Sequence, residues 1–347
     1  MKLDSASSPA SGVGRRQFLG ASIGLGSALL ALQTRAKSSP MQSSADSLPR
    51  HWQSRPLLGF GTTLSLMVGA DEARLAQQAL DLAVADIQLI ESQMSLFDPA
   101  SALSRLNAKG ELREPHPWLV QVLSLAQEVS RKSGGAFDVT VQPLWRAYAR
   151  AQQQHQLPTA GQVDTARAQT GWQHLEVTSE LIRFKRPDMA ITLNGIAQGF
   201  AADVIRARWQ TMGIRHALIN TGEWTASGAA QDGQAWRLGI ADPRDEARML
   251  RNISLGGKCV ATSADNQTYF TPDFKNHHIF DPHTGRSPTD VASVTVVAHS
   301  TALADALTKV MFVGGMHKAL RLAKLWSVDV LMVDKSGHWI ASPGISA

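Results

Sequence analysis

The chain has 347 residues, 44% of them hydrophobic and 18% charged, which supplies a large packed core and excludes wholesale disorder. A single cysteine, Cys259, excludes an intrachain disulfide and a thiolate metal cluster. The formal charge of +5 invites a nucleic-acid reading, but +3 of it lies in the first 36 residues, where Lys2, Arg15, Arg16 and Arg35 face Asp4 alone; the rest is close to neutral, and no nucleic-acid partner is expected.

Those 36 residues are also ordered as a signal. A polar stretch ends in Gly14-Arg15-Arg16-Gln17-Phe18-Leu19, an apolar run of 15 residues spans 18–32, and small residues stand at Thr34 and Ala36. This is the layout of a cleaved export signal. The paired arginines followed by Phe-Leu resemble a twin-arginine signal, and the run falls short of the about 20 apolar residues of a membrane span. An uncleaved anchor is the alternative. The expected organisation is a twin-arginine signal peptide over 1–36, a Ser-, Gln- and Pro-containing linker over 37–55 and one domain over 56–347, with a periplasmic destination.

Within 71–94, Leu80, Ala83, Ile87, Ile90 and Met94 recur at steps of three and four, one face of a helix. The stretch 94–107 then reads as a helix end, an Asp98-Pro99 turn and a short second helix capped by Ser101; Met94 and Phe97 are alternatively an apolar wall for a planar ligand. A helix is predicted over 118–132, ended by Gly134-Gly135. The segment 133–145, SGGAFDVTVQPLW, reads as that helix end running into a strand, with two glycines that permit positive φ and with Phe137 and Asp138 as a ring face and an acceptor. In 191–203, ITLNGIAQGFAAD, a strand leads into Asn194-Gly195 and a helix runs over 197–212; backbone N–H groups at such a helix start hold phosphate, although the spacing is neither a dinucleotide fingerprint nor a P-loop.

Short strands are predicted over 216–220 and 293–298. Between them, 277–288 (HHIFDPHTGRSP) holds a turn at Asp281-Pro282 and Thr284-Gly285, and His277 and His278 alternate sides so that only one faces a site. Helices over 301–313 and 316–326 precede a hairpin of 328–333 with 338–341. In the first, Asp305 needs a partner or a metal, and Lys309 stands at the favourable i,i+4 position for an ion pair. The mixture lacks a regular βαβ repeat, so the fold class is α+β.

Each segment alone is weak, but their order is specific. Met-Ser-Leu-Phe-Asp with Ser101-x-Leu-Ser-x-Leu-Asn, GAFD-x-T-x-x-PLW from Gly135, LNGIAQG over 193–199, WRLGIADP over 236–243, Ala261-Thr262-Ser263, His278-Ile-x-Asp-Pro-x-Thr-Gly285 and Ala304-Asp305-Ala306-Leu307 together resemble the ApbE-type FAD:protein FMN transferases, over most of the chain from about residue 55. The LNGIAQG and PLW variants, with the twin-arginine signal, look closest to the NosX-like branch.

The resemblance implies a single ApbE-like catalytic unit that cleaves FAD, transfers FMN to a Ser or Thr hydroxyl of a partner flavoprotein and releases AMP. The acceptor would be a membrane-bound, NosR-like protein that serves nitrous oxide reductase maturation. It implies FAD as substrate, lined by Met94, Gly135, Ala136, Phe137, Asn194 and Ile279. It further implies Mg2+ on the Ala197 carbonyl and the Asp305 carboxylate, and His278 as the base for the acceptor hydroxyl. The family pattern in the metal helix is Asp-x-x-x-Thr, with the Thr a ligand, and here that position is Lys309. Three outcomes stand open: Thr308 substitutes as ligand, the ammonium replaces the metal charge, or catalysis is weakened. Two further departures are Ala264 for the usual Gly and Trp224 after Gly222-Glu223. The competing functions are a non-catalytic FAD-binding scaffold and an FAD pyrophosphatase with water as acceptor.

Overall fold

The computed structural model describes residues 48–346. The expected signal over 1–36 lies outside the described residues, as does the linker up to residue 47. The linker's last five residues are instead part of a strand, β1 (His51–Gly59), paired in a hairpin with β2 (Thr62–Ala70). Then follow α1 (Ala73–Met94), α2 (Ala102–Lys109), β3 (Glu111–Arg113), α3 (Pro117–Lys132), α4 (Gln142–Gln152), α5 (Ala160–Ala168), β4 (Leu175–Val177), β5 (Leu181–Phe184) and α6 (Ala197–Thr211). The second half holds β6 (His216–Asn220), β7 (Trp224–Ser227), β8 (Arg237–Asp242), β9 (Asp245–Ser254), β10 (Cys259–Ala264), β11 (Val291–Ala298), α7 (Thr301–Gly314), α8 (Ala319–Trp326), β12 (Asp329–Asp334), β13 (Trp339–Ala341) and α9 (Pro343–Ser346). The class is α+β.

One eight-stranded antiparallel sheet, ordered β1-β2-β6-β7-β10-β11-β12-β13, organises the molecule, with small sheets β3-β5-β4 and β8-β9 beside it. Strand β11 is buried at all eight positions because both faces are covered, and its two polar residues, Ser293 and Thr295, are buried with the rest. Val294, Val296 and Ala298 enter the core under α7, and Val297 enters a second core with Trp236, Ile240 and Ile253 of the β8-β9 hairpin. Toward the other edge, Leu64, Leu66 and Val68 of β2 pack on Leu80 and Ile87 of α1 and on Ile205 and Trp209 of α6. The Trp209 indole donates to the Ala79 carbonyl at 2.9 Å, so its buried N–H is satisfied.

Helices α6 and α7 lie in close contact, and this contact builds the site. A side chain at Gly199 would place its Cβ 2.4 Å from the Thr301 carbonyl oxygen and 2.8 Å from the Ala302 Cα. Asp203, one turn further along α6, caps α7 from outside its own helix. Its Oδ1 accepts from the Thr301 N–H at 2.9 Å and hydroxyl at 2.9 Å, and its Oδ2 from the Ala302 N–H at 3.0 Å and the Ser300 hydroxyl at 2.7 Å. Ser300 is itself the N-cap, accepting from the Leu303 N–H.

Three local expectations are corrected. No strand leads into Asn194. The extended segment there is held by Asn107, whose side chain accepts from the Ile191 N–H and donates to the Ile191 carbonyl, both at 2.8 Å, doing the work of a partner strand. After Gly134-Gly135 the chain enters a 3₁₀ turn (Val139–Val141) and then α4, not a strand; Pro143 stands in the first turn of α4, where its missing N–H costs nothing. The helix expected from residue 316 divides at Met316–Lys318 into a 3₁₀ turn ahead of α8. No described helix is long and apolar enough to cross a membrane.

Candidate active site

Four segments converge: the start of α6, the β6–β7 turn, strand β10 and the inner face of α7. Thr221 in the turn donates its hydroxyl to the Gln198 carbonyl at 2.8 Å, tying the turn to α6. Helix α6 has no side-chain cap; the Ala197 N–H donates to the Leu193 carbonyl at 2.8 Å, and the N–H groups of Gln198 and Gly199, with the positive dipole end, are those left to face an anion.

On α7 the expected ion pair forms. Lys309 Nζ lies 2.5 Å from Asp305 Oδ1 and donates to the Asp305 backbone carbonyl at 3.2 Å. Asp305 is buried, and its Oδ2 has no hydrogen-bond partner among the described residues. The lysine stem runs past Gly195, where a Cβ would come within 3.0 Å of Lys309 Cε. The ammonium thus reaches the loop that starts α6. Thr308 does not face this pair: its hydroxyl donates to the Asp305 backbone carbonyl at 2.6 Å and pairs with Ser263 Oγ at 2.8 Å.

A second acid belongs to the cluster and was not among the expected site residues. Glu223, buried in the β6–β7 turn, accepts from the Thr262 N–H at 3.0 Å. Burial, then the Asp305 carboxylate, push its carboxyl well above the ordinary range, and the Lys309 charge opposes this. The available signal was the Gly222-Glu223 doublet between two apolar strands, where an acid needs a reason.

The two adjacent histidines separate as predicted. His277 is buried; its Nε2 faces the Pro288 carbonyl at 3.0 Å and its Nδ1 accepts from the Ile279 N–H at 3.3 Å. Both nitrogens are engaged in structure, and burial lowers its pKa to about 3. His278 is half-buried, and its Nδ1 lies 3.0 Å from the Thr268 carbonyl. A carbonyl only accepts, so Nδ1 carries the hydrogen and Nε2 presents a lone pair. Burial is the main reason its pKa falls to about 4; the Lys309 ammonium adds to the fall, while the Thr268 contact and Asp265 oppose it. The imidazole is neutral at pH 7.

The expected flavin-lining residues divide. Met94, Phe137 and Ile279 are buried in one apolar cluster, with Ala136 packed against it. Phe97, the other half of the expected Met94–Phe97 wall, is 60% exposed and turns away from that core. Gly135 is buried with φ +87°, a conformation a Cβ would strain. Its open side faces His283, whose ring spans two loops, reaching Asp281 Oδ1 at 3.0 Å and the Gly134 carbonyl at 3.0 Å. Asn194 is exposed at the loop preceding α6. Asp138 is structural: Oδ1 accepts from the Thr140 N–H and hydroxyl at 2.8 and 2.7 Å, and Oδ2 from the Trp172 N–H at 3.0 Å. Burial raises its pKa against those bonds. A 570 Å³ depression lined by Asn107, Lys109, Arg183 and Arg186 among others shares no residue with this cluster.

Magnesium meets an obstacle here. The ammonium already occupies Asp305 Oδ1, so a divalent ion at the remaining oxygen, Oδ2, would share one carboxylate with a fixed positive charge whose repulsion offsets part of the attraction. With Thr308 turned to Ser263, the residues present do not fit the expected Ala197, Asp305 and Thr308 ligand set.

Comparison with known proteins bears on the family and the fold of the chain. A family model described as the ApbE family matches residues 60–332. The chain is 31% identical over 290 residues to the FAD:protein FMN transferase of Vibrio cholerae serotype O1, covering 80% of this chain and 86% of that protein. It is 30% identical over 288 residues to the FAD:protein FMN transferase of Salmonella typhimurium, covering 78% and 81%. Its fold is similar to the crystal structure of the Pseudomonas stutzeri flavinyl transferase ApbE in its apo form, with a TM-score of 0.75 and 26% identity over 85% of this chain and 95% of that one.

Proposed function

This chain belongs to the ApbE family, and from that premise we infer that it is an FAD:protein FMN transferase. The observation that carries the reading is the fixed tautomer of His278, neutral and with its Nε2 lone pair presented, beside the Lys309 ammonium at an uncapped helix start. In the reaction the acceptor hydroxyl oxygen forms a bond to the FMN phosphorus. The P–O bond to the adenylate half breaks, its electron pair leaves on the AMP phosphate, and the hydroxyl proton goes to His278 Nε2. Little covalent chemistry is asked of the protein, so its work is placement and charge compensation.

In this reading Met94, Gly135, Ala136, Phe137, Asn194 and Ile279 line the flavin site, the first N–H groups of α6 face the pyrophosphate, and Asp305 holds the cation. The acceptor is a Ser- or Thr-bearing flavoprotein, with a membrane-bound NosR-like protein as the reading for this branch. The twin-arginine layout of 1–36 supports export to the periplasm in a folded state. Neither the non-catalytic scaffold nor the pyrophosphatase is favoured, since the relatives are named for transfer.

The test is incubation of the purified protein with FAD and a Thr-containing acceptor peptide. A covalent FMN adduct by mass spectrometry with stoichiometric AMP supports transfer; free FMN without adduct identifies a pyrophosphatase, and bound but unchanged FAD a scaffold.

A further inference from the structure

The Asp305–Lys309 pair is more than a neutralised helix acid. Its ammonium is buried enough to be held, with the side chain 19% exposed, and is bonded to both the carboxylate and the backbone of Asp305. Its stem passes over Gly195, so the charge stands where the chain turns into α6 and where an anion meets that helix's N-terminus. His278 and Glu223 both feel this charge, which places it among the acid and base groups of the site rather than on the outer surface. The remaining carboxylate oxygen, Asp305 Oδ2, has no hydrogen-bond partner among the described residues and keeps the pair net-polar toward its surroundings.

We propose that Lys309 is the built-in cation of this site, and that FMN transfer by this protein proceeds without a divalent metal. The inference rests on the transferase reading above. The ammonium is carried to the pyrophosphate by the helix and compensates the charge that develops on the departing AMP phosphate oxygen. Asp305, one helical turn before it, positions it by two contacts, from its carboxylate and its backbone carbonyl. A lysine supplies a single charge as a point donor, whereas a divalent ion supplies two and brings its own water. The uncapped end of α6 contributes the balance as partial positive charge.

The experiment has two arms that do not depend on each other. In the first, Mg2+ alone is titrated by calorimetry into wild type and Lys309→Thr. Binding heat in the variant and none in wild type is expected; equal heats in both overturn the proposal. In the second, FMN transfer and AMP release are measured with EDTA and with Mg2+. Wild type is expected to be unaffected by the chelator. Lys309→Thr is expected to lose about 10²- to 10³-fold in EDTA, the range for removing one charge-stabilising group, and to recover with Mg2+. Loss of wild-type transfer in EDTA with recovery on Mg2+ overturns the proposal, and this measurement needs no variant to fold. Absence of transfer under every condition, with FAD bound, refutes the transferase reading instead, and the calorimetric arm still decides the identity of the cation.

Discussion

Replacing Asp203 by Ala tests whether the site depends on the clasp between α6 and α7. The carboxylate accepts four hydrogen bonds from the first residues of α7, two of them from the backbone N–H groups of Thr301 and Ala302. The Ser300 and Thr301 hydroxyls can find other partners, and Thr301 already pairs with Thr225, so they are set aside. The two N–H bonds to a charged acceptor at about 1.5 kcal/mol each give a loss of about 3 kcal/mol, above the about 1 kcal/mol of an ordinary cap because the acceptor is ionised. Asp203 is 20% exposed, so solvent relieves only a part. For a domain of about 300 residues, at about 2.1 cal/mol/K of unfolding entropy per residue, that corresponds to a fall of about 5 °C in melting temperature. Urea denaturation and thermal melts of wild type, Asp203→Ala and Asp203→Asn measure it, with Asn falling between because it keeps one acceptor oxygen. A loss under about 0.5 kcal/mol for Ala, within the range of ordinary surface changes, refutes the argument that this contact holds the helices together.

Gly199→Ala is expected to cost at least about 1–3 kcal/mol by denaturant unfolding and to lower transfer as well, because the new Cβ meets the backbone of Thr301 rather than a movable side chain. The kcat/KM for transfer should rise with pH through about 4 and then stay level to neutrality, since His278 is base-competent above that value; His278→Gln should lose about 10²–10⁴-fold, and a limb centred near 6.5 in wild type would remove His278 from the role. His277 has a folded pKa of about 3, well below the ordinary histidine value of 6.5, so the unfolded chain binds the proton first. The His277 contribution to stability is therefore full above about 6.5 and declines by about 1.4 kcal/mol per pH unit toward 3, with His278 adding a parallel decline down to about 4; the pH slope of urea midpoints between 6.5 and 4 should fall by about half in His277→Gln.

The sequence reading succeeded where local pattern and burial agree. The three-four spacing of Leu80 to Met94 made α1 visible, and Ser101 announced α2 through the cap it forms with the Ser104 N–H. The hairpin of β1 with β2 went unseen because β1, with Pro56 and alternate residues facing solvent, has the composition of a linker and pairs on one side only. The strand expected before Asn194 is absent for a reason lying 84 residues away, the side chain of Asn107. For the site, the Asp305–Lys309 pair was legible from i,i+4 spacing, and His278 from alternation with His277. Glu223 and Asp203 were not, since their roles come from partners on other elements: Thr262 for one and the start of α7 for the other.

The Asp138 knot and the His283 bridge bear on the speed and entropy of ligand capture. Together they hold the Gly134-Gly135 loop and the Asp281 turn to each other and to the 3₁₀ turn at Trp172. Under the proposed flavin site, an isoalloxazine ring arriving at Phe137 would meet a wall that is already built, and the ordering of that wall would belong to folding and not to binding. Association should then resemble a rigid encounter, with a single fast phase and a small entropic penalty, and the acceptor protein should find the bound nucleotide presented in one pose.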